Sequence, residues 1–188
     1  MPEIKKSWSQ EWHAAKIFEP QENPNKEKFY FTVPYPYPTG PLHIGHSRTY
    51  LTGDVLARFK RIQGFNVLWP MAFHVTGTPV LAICDDIKRG EPERMQLYRE
   101  YVGYYIKDEK EINKILQTFT EPKNVAAFFA SHMREDMDLI GLSIDWRHQF
   151  TTMDPEYQTF VQWQFRKLFE KGALKKGHYP ILFSPADK

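Results

Sequence analysis

The apolar positions of the chain change period several times, and each change marks an element. Ile4, Trp8, Trp12 and Ala15 fall on one helical stripe, which predicts a short helix over residues 4–18, docked on the main body. Residues 21–28 (QENPNKEK) are polar and carry Asn-Pro turn chemistry, as a linker does. Residues 29–33 (FYFTV) are aromatic and β-branched, the pattern of a buried strand. The next eight residues, PYPYPTGP, hold four prolines and a glycine, which excludes both helix and central strand. A helical period follows at once, with Ile44, Leu51, Val55, Phe59 and Ile62 on one face and Gly64 as its stop. Residues 66–71 read as a second strand.

Strand, turn, helix and strand within about 45 residues make the βαβ unit of a parallel sheet, with a right-handed crossover. Such a unit holds its ligand at the C-terminal end of the first strand, against the helix N-terminus. Beyond it the pattern is mainly helical, over residues 78–89, 93–105, 108–119 and 122–140. Residues 141–146 turn into a strand-like piece ending near residues 150–152. Asp154 as N-cap and Pro155 at the first helical position start a further helix that runs to about Gly172. Its apolar residues Tyr157, Phe160, Val161, Trp163, Phe165, Leu168 and Phe169 span a wide arc and predict a buried helix. Residues 179–185 read as a strand leading elsewhere.

Composition narrows the class without naming a function. The 188 residues are 41% hydrophobic and 26% charged, which excludes disorder, collagen and coiled coil. No apolar run approaches the roughly 20 residues of a membrane span, and the first 20 residues have no secretory core. A net charge of +2 is too mild to announce nucleic acid. The single cysteine, Cys84, can build neither a disulfide framework nor a cysteine zinc site, which points to a reducing, cytoplasmic compartment.

The chemistry concentrates in residues 35–46, YPYPTGPLHIGH. Thr39 and Gly40 put bare backbone beside a helix start, where the dipole favours a polyphosphate. His43 and His46 are three apart and share a face of the first turn; Gly45 between them leaves room for a flat ring. Two such histidines also fit an ordinary helix start. As metal ligands they would lack partners, since no Cys or Glu is placed to join them. His74 ends the second strand in the run FHVTGTP and fits either a core histidine or a substrate contact. Tyr35 and Tyr37 alternate with prolines on an extended segment, so they should point the same way, toward a pocket or into the core. Asp85, Asp86 and the 135–138 acidic run read as solvated helix faces; Arg58, Lys60 and Arg61 complement the end of their helix.

The segment resembles the HIGH signature of class I aminoacyl-tRNA synthetases. More narrowly, FYFTVPYPYPTGPLHIGHSRTY, DVLARFKRIQGFNVLWPMAFHVTGTPV and GLSIDWRHQFTTMDPEY are similar to the N-terminal part of the leucyl enzymes of archaea and the eukaryotic cytosol. The resemblance implies an α/β fold, the first half of a Rossmann-type (HUP-like) parallel-sheet nucleotide-binding domain with a largely helical insertion. It divides the chain into a docking helix and linker (1–22), the half-domain (23–180, insertion about 90–140) and the start of a connection toward an editing insertion (181–188).

It also implies ATP with its own Mg²⁺, leucine and tRNA(Leu) as partners, along with the C-terminal remainder of the enzyme. His43 and His46 would be catalytic; Pro38, Thr39, Gly40 and Gly45 would join them around ATP. Tyr35, Tyr37 and His74 would bind the amino acid. Related enzymes often carry Asp at the position of His74, and this chain departs from them there. No lysine loop like the family's second signature, KMSKS, occurs in these residues. The expectation is therefore a chain ending at the editing junction, with little or no activation alone. The isoleucine, valine and methionine enzymes, and a non-catalytic module derived from a synthetase, stand as alternatives.

Overall fold

The computed structural model describes residues 2–180 and residue 182. In chain order the elements begin with α1 (Pro2–Ala14), β1 (Lys28–Tyr30), α2 (Ile44–Ile62), β2 (Asn66–Leu68) and β3 (Ala72–Phe73). They continue with α3 (Thr78–Arg89), α4 (Pro92–Tyr105), α5 (Glu109–Thr118) and α6 (Pro122–Leu139). A 3₁₀ turn (Trp146–His148), β4 (Phe150–Thr151) and α7 (Pro155–Glu170) follow. The strand expected at 179–185 and the connection at 181–188 fall largely outside the described residues, as does the side chain of Ile4.

The expected parallel crossover is present. β1 pairs in parallel with β2, with Phe29 opposite Val67, and α2 joins them. The second strand is not one ladder but two. Pro70 has no N–H to donate, and after it the chain takes a new partner. Asp145 N donates to Trp69 O at 2.9 Å, and β3 pairs in parallel with β4, Ala72 opposite Phe150. The fold is thus mixed α/β with parallel strands, and α3–α6 form a helical insertion between β3 and β4.

Two cores result. One lies among α3–α6 and gathers Val80, Ile83, Tyr98, Leu116, Phe119 and Phe129. The other joins α2 to the strands through Tyr50, Ala57, Val67, Trp69, Met71 and Ile144. At the end of α1, Trp12 packs edge-on to Phe18 at 5.7 Å, and the Arg58 guanidinium lies over the Trp12 ring at 5.2 Å.

α2 presents the face opposite to the one its apolar period suggests. Ile44, Leu51, Val55, Phe59 and Ile62 are 45–87% exposed, while Tyr50, Gly53, Asp54 and Ala57 are buried. Hydrogen bonds decide the orientation. Asp54 accepts from Ser143 N at 2.7 Å and from Arg58 Nε at 2.7 Å. Arg58 also donates to Gly141 O at 2.6 Å, and Arg61 to Ser143 Oγ at 2.6 Å. The two arginines therefore bind the 141–143 turn to the helix as well as standing near its C-terminus. Burial holds the Arg61 pKa down to about 10, with Asp54 acting in the opposite sense.

The chain packs as two units, residues 1–153 and 154–188. α7 belongs to the second, and the burial expected of it is not found. Phe160, Trp163, Phe165 and Phe169 are 52–66% exposed. Among the described residues of its unit α7 is the sole regular element, and one helix has no second surface on which to bury a face.

Candidate active site

His43 is the N-cap of α2, in extended backbone at φ −129° and ψ 173°. Its Nδ1 accepts the Gly45 N–H at 3.1 Å. In return His46 Nδ1 accepts the His43 N–H at 3.4 Å. This is a reciprocal cap of the kind usually built from Ser or Thr with Glu, made here from two imidazoles. The rings lie 4.0 Å apart between centroids, and His46 is parallel to Tyr50 at 6.2 Å and 3°. Burial first, and the neighbouring His43 second, lower the His46 pKa below its ordinary 6.5. An imidazole whose Nδ1 accepts a hydrogen bond carries its proton on Nε2 when neutral. Both rings are therefore set as Nε2–H donors. The N–H groups of His43 and Gly45 are occupied by these rings.

Gly45 has a definite steric reason. A Cβ there would stand 2.9 Å from His43 Cε1 and 3.0 Å from Nδ1. The flat ring that needs this space is the cap's own imidazole.

A cleft of about 680 Å³ opens beside this turn. Tyr37, Thr39, Gly40, His43 and His46 line one side; Tyr101, Tyr104, Tyr105 and Asp136 of the insertion line the other. Pro38 is buried and does not line the cleft. Thr39 N donates to Tyr37 O at 2.9 Å, which tightens the turn. Tyr37 stacks on His74 at 4.2 Å and 24°. His74 N donates to Pro36 O at 2.9 Å, so the 73–77 turn is stitched to the proline segment. Tyr35 takes a different direction from Tyr37. It packs edge-on against Phe150 at 5.4 Å, and its hydroxyl accepts from Thr32 Oγ1 at 2.9 Å.

Sequence reading missed three contributors. Thr152 Oγ1 accepts from Val75 N at 3.0 Å and Thr76 N at 3.1 Å, holding the turn that carries His74. Tyr98 and Tyr101 meet the Thr39–Gly40 backbone from α4. Nothing local marks them, since a Thr at a strand end and Tyr on a helix are ordinary. Of the acidic residues singled out earlier, Asp86, Asp136 and Asp138 have near partners. Asp86 meets Arg89 at 2.6 Å and Arg94 at 3.1 Å, Asp136 accepts the Tyr105 hydroxyl at 2.9 Å, and Asp138 accepts Trp146 Nε1 at 2.6 Å. Among the described residues, no three His, Cys, Asp or Glu side chains converge as a metal cluster.

The family model for class I tRNA synthetases (I, L, M and V) matches residues 7–188. The chain belongs to this family. It is 51% identical over 180 residues to a leucine--tRNA ligase of Staphylothermus marinus, covering 96% of this chain and 19% of that protein. It is 49% identical to a leucine--tRNA ligase of Methanopyrus kandleri, over 93% of this chain and 18% of that one. The chain thus spans less than a fifth of the length of these relatives. The LeuRS of Agrobacterium radiobacter K84, solved in a ternary complex with tRNA and LeuAMS, aligns at a TM-score of 0.65 and 26% identity. That alignment covers 89% of this chain and 17% of the solved one. No helix among the described residues is long and apolar enough to cross a membrane.

Proposed function

We propose that this chain is the ATP- and leucine-binding first half of the nucleotide-binding domain of a leucine--tRNA ligase. The observation that supports this best is the pair of closely set, mutually capped imidazoles opening α2, in a chain 51% identical to such a ligase. The whole protein would join leucine to ATP and pass the leucyl group to tRNA(Leu) in the cytoplasm. Residues 1–22 serve as a docking helix and linker, 23–180 as the half-domain with its insertion at about 90–140, and 181–188 as the start of the editing connection.

In the first step the leucine carboxylate attacks the α-phosphorus of MgATP, and pyrophosphate leaves. The protein supplies no nucleophile; it orients the carboxylate and stabilises charge on the phosphates. His43 and His46 suit the second task through Nε2–H donors held outward by their Nδ1 bonds. For His46, whose pKa burial lowers, a neutral ring donates to phosphate without the cost of charging it. Pro38, Thr39, Gly40 and Gly45 shape the backbone around the nucleotide. Tyr37 and His74 suit the amino acid, His74 accepting a hydrogen bond from its ammonium, with Tyr35 supporting that wall from behind. Magnesium comes with the nucleotide, held mainly by phosphate oxygens and water. In the second step a hydroxyl of the terminal ribose of tRNA(Leu) attacks the leucyl carbonyl of the adenylate, forming the ester while AMP leaves.

Calorimetry on the 188-residue chain with ATP and non-hydrolysable leucyl-, isoleucyl- and methionyl-adenylate analogues tests this. Leucyl-adenylate should bind tightest, His43→Ala should weaken every nucleotide, and His74→Ala should weaken the adenylates but not ATP. Equal affinity across wild type and both variants removes the site assignment. Pyrophosphate exchange by this chain alone should be slow, because the closing lysine loop of the family is not in residues 1–188. Exchange at ordinary synthetase rates would contradict that.

A further inference from the structure

The helical insertion reaches directly onto the backbone that precedes the two histidines. Tyr98 of α4 is only 4% exposed, and its hydroxyl donates to Thr39 O at 3.1 Å. Burial raises its pKa well above the usual tyrosine range, so the hydroxyl keeps its proton. Tyr101, three residues on and on the same helix face, lays its ring edge against Gly40. A Cβ at position 40 would stand 3.0 Å from Tyr101 Cε2 and 3.2 Å from Cδ2. Gly40 has no left-handed backbone that would call for glycine; the ring does. The two tyrosines meet edge to face at 5.6 Å. Each also rests on Phe129 of α6, at 6.2 and 6.5 Å. The insertion's own core therefore ends in two side chains that grip the Thr39–Gly40 peptide, three residues before His43.

We propose that Tyr98 and Tyr101 are positioning residues. They fix the Thr39–Gly40 backbone and, through it, the first turn of α2, so that the His43 and His46 imidazoles stay close together and capped with Nε2 toward the cleft. The insertion is then the second jaw of the site. The nucleotide part of this inference rests on the proposed function; the imidazole part does not.

The test uses the 188-residue chain and three readouts: imidazole ¹⁵N titrations of His43 and His46, ATP affinity, and the thermal midpoint. Tyr98→Phe keeps the buried ring and deletes one hydrogen bond. It should leave the midpoint nearly unchanged, weaken ATP by roughly fivefold, and let the His46 pKa rise toward its ordinary value as the cap loosens. Gly40→Ala should act in the same direction, because the new methyl drives the Tyr101 ring aside. Tyr101→Phe keeps the ring and should match wild type. Tyr101→Ala should loosen the cap, and adding Gly40→Ala to it should cost nothing more, since the clash is gone; such non-additivity marks direct contact.

The proposal is overturned if Tyr98→Phe and Gly40→Ala leave the imidazole titrations at wild type, whatever they do to the midpoint. It is also overturned if the Gly40 and Tyr101 effects simply add. Should the wild-type chain fail to bind ATP while both imidazoles respond to the tyrosine variants, the proposed function fails and the positioning role stands.

Discussion

The core among α3–α6 closes on itself, whereas the strand layer leaves a whole face of α2 open. Inside the insertion the cohesion is apolar and aromatic. Phe119, Phe128 and Phe129 meet one another at 5.2–5.7 Å, and Tyr98 joins Phe119 and Phe129 at 6.2–6.4 Å. The strand layer also has an apolar centre in Trp69, Met71 and Ile144, but polar struts close its margins. Asp54 with Arg58, Arg61 with Ser143, and Asp145 with Arg147 at 2.7 Å are the main ones. The difference teaches where further chain is needed. A helical insertion can bury the apolar face of each of its helices against its neighbours, whereas a parallel sheet needs layers on both faces.

The most damaging test of that contrast is Phe129→Ala. The side chain is fully buried and touches the rings of Tyr98, Tyr101, Phe119 and Phe128. Its loss should cost about 3–5 kcal/mol in urea unfolding. A cost below about 1 kcal/mol would mean that the insertion does not unfold as one packed unit. Asp54→Ala is the counterpart in the strand layer. It strands the Ser143 N–H and leaves Arg58 without its carboxylate. Because Arg58 is partly solvated, the expected cost is smaller, about 2 kcal/mol. If Asp54→Ala proved the more costly of the two, the strand layer would depend on its struts more than the insertion does on its core.

These two sites also show what could be read in advance. In α3, Val80, Ile83, Cys84 and Ile87 are buried at the spacing the period predicts, because their partners belong to neighbouring helices. α2 has as clear a period, and it picks out the exposed side. What turns the helix is the hydrogen bonding of Asp54 and Arg61 to Ser143, residues 82 to 89 positions away. A periodicity argument sees only the helix itself. The candidate site divides in the same manner. His43, Gly45 and His46 explain one another within four residues, and so are legible locally. Tyr98, 59 positions from Thr39, and Thr152, 77 positions from Val75, become visible only once the insertion folds back.

The capped histidines separate the two regions by pH. The folded-state pKa of His46 lies below its ordinary 6.5, so the unfolded chain takes up a proton first as pH falls. The contribution is fully present above pH 6.5 and is lost as pH drops through 6.5 toward the lower folded value. Thermal midpoints should therefore decline over that window, and His46→Gln should flatten the decline. Phe129→Ala should lower the whole curve without changing its slope, since no titrating group is removed. Equal slopes in wild type and His46→Gln would mean that protonation of this ring is not coupled to folding.

The smallest expected effect probes the open face. Val55 is 68% exposed and Ile62 84%, on the side of α2 away from Asp54 and Ala57. Val55→Lys places a charge where the side chain is already exposed. Exposed substitutions of this kind change stability by less than about 0.5 kcal/mol, and the lysine is a slightly better helix former than valine. The 188-residue chain should therefore unfold at an unchanged urea midpoint. The same substitution inside α3, for instance Ile83→Lys, buries an unpaired ammonium and should prevent folding. A loss of about 2 kcal/mol from Val55→Lys would show that the stripe is covered in the isolated chain. The contrast between a closed insertion and an open strand layer would then no longer hold.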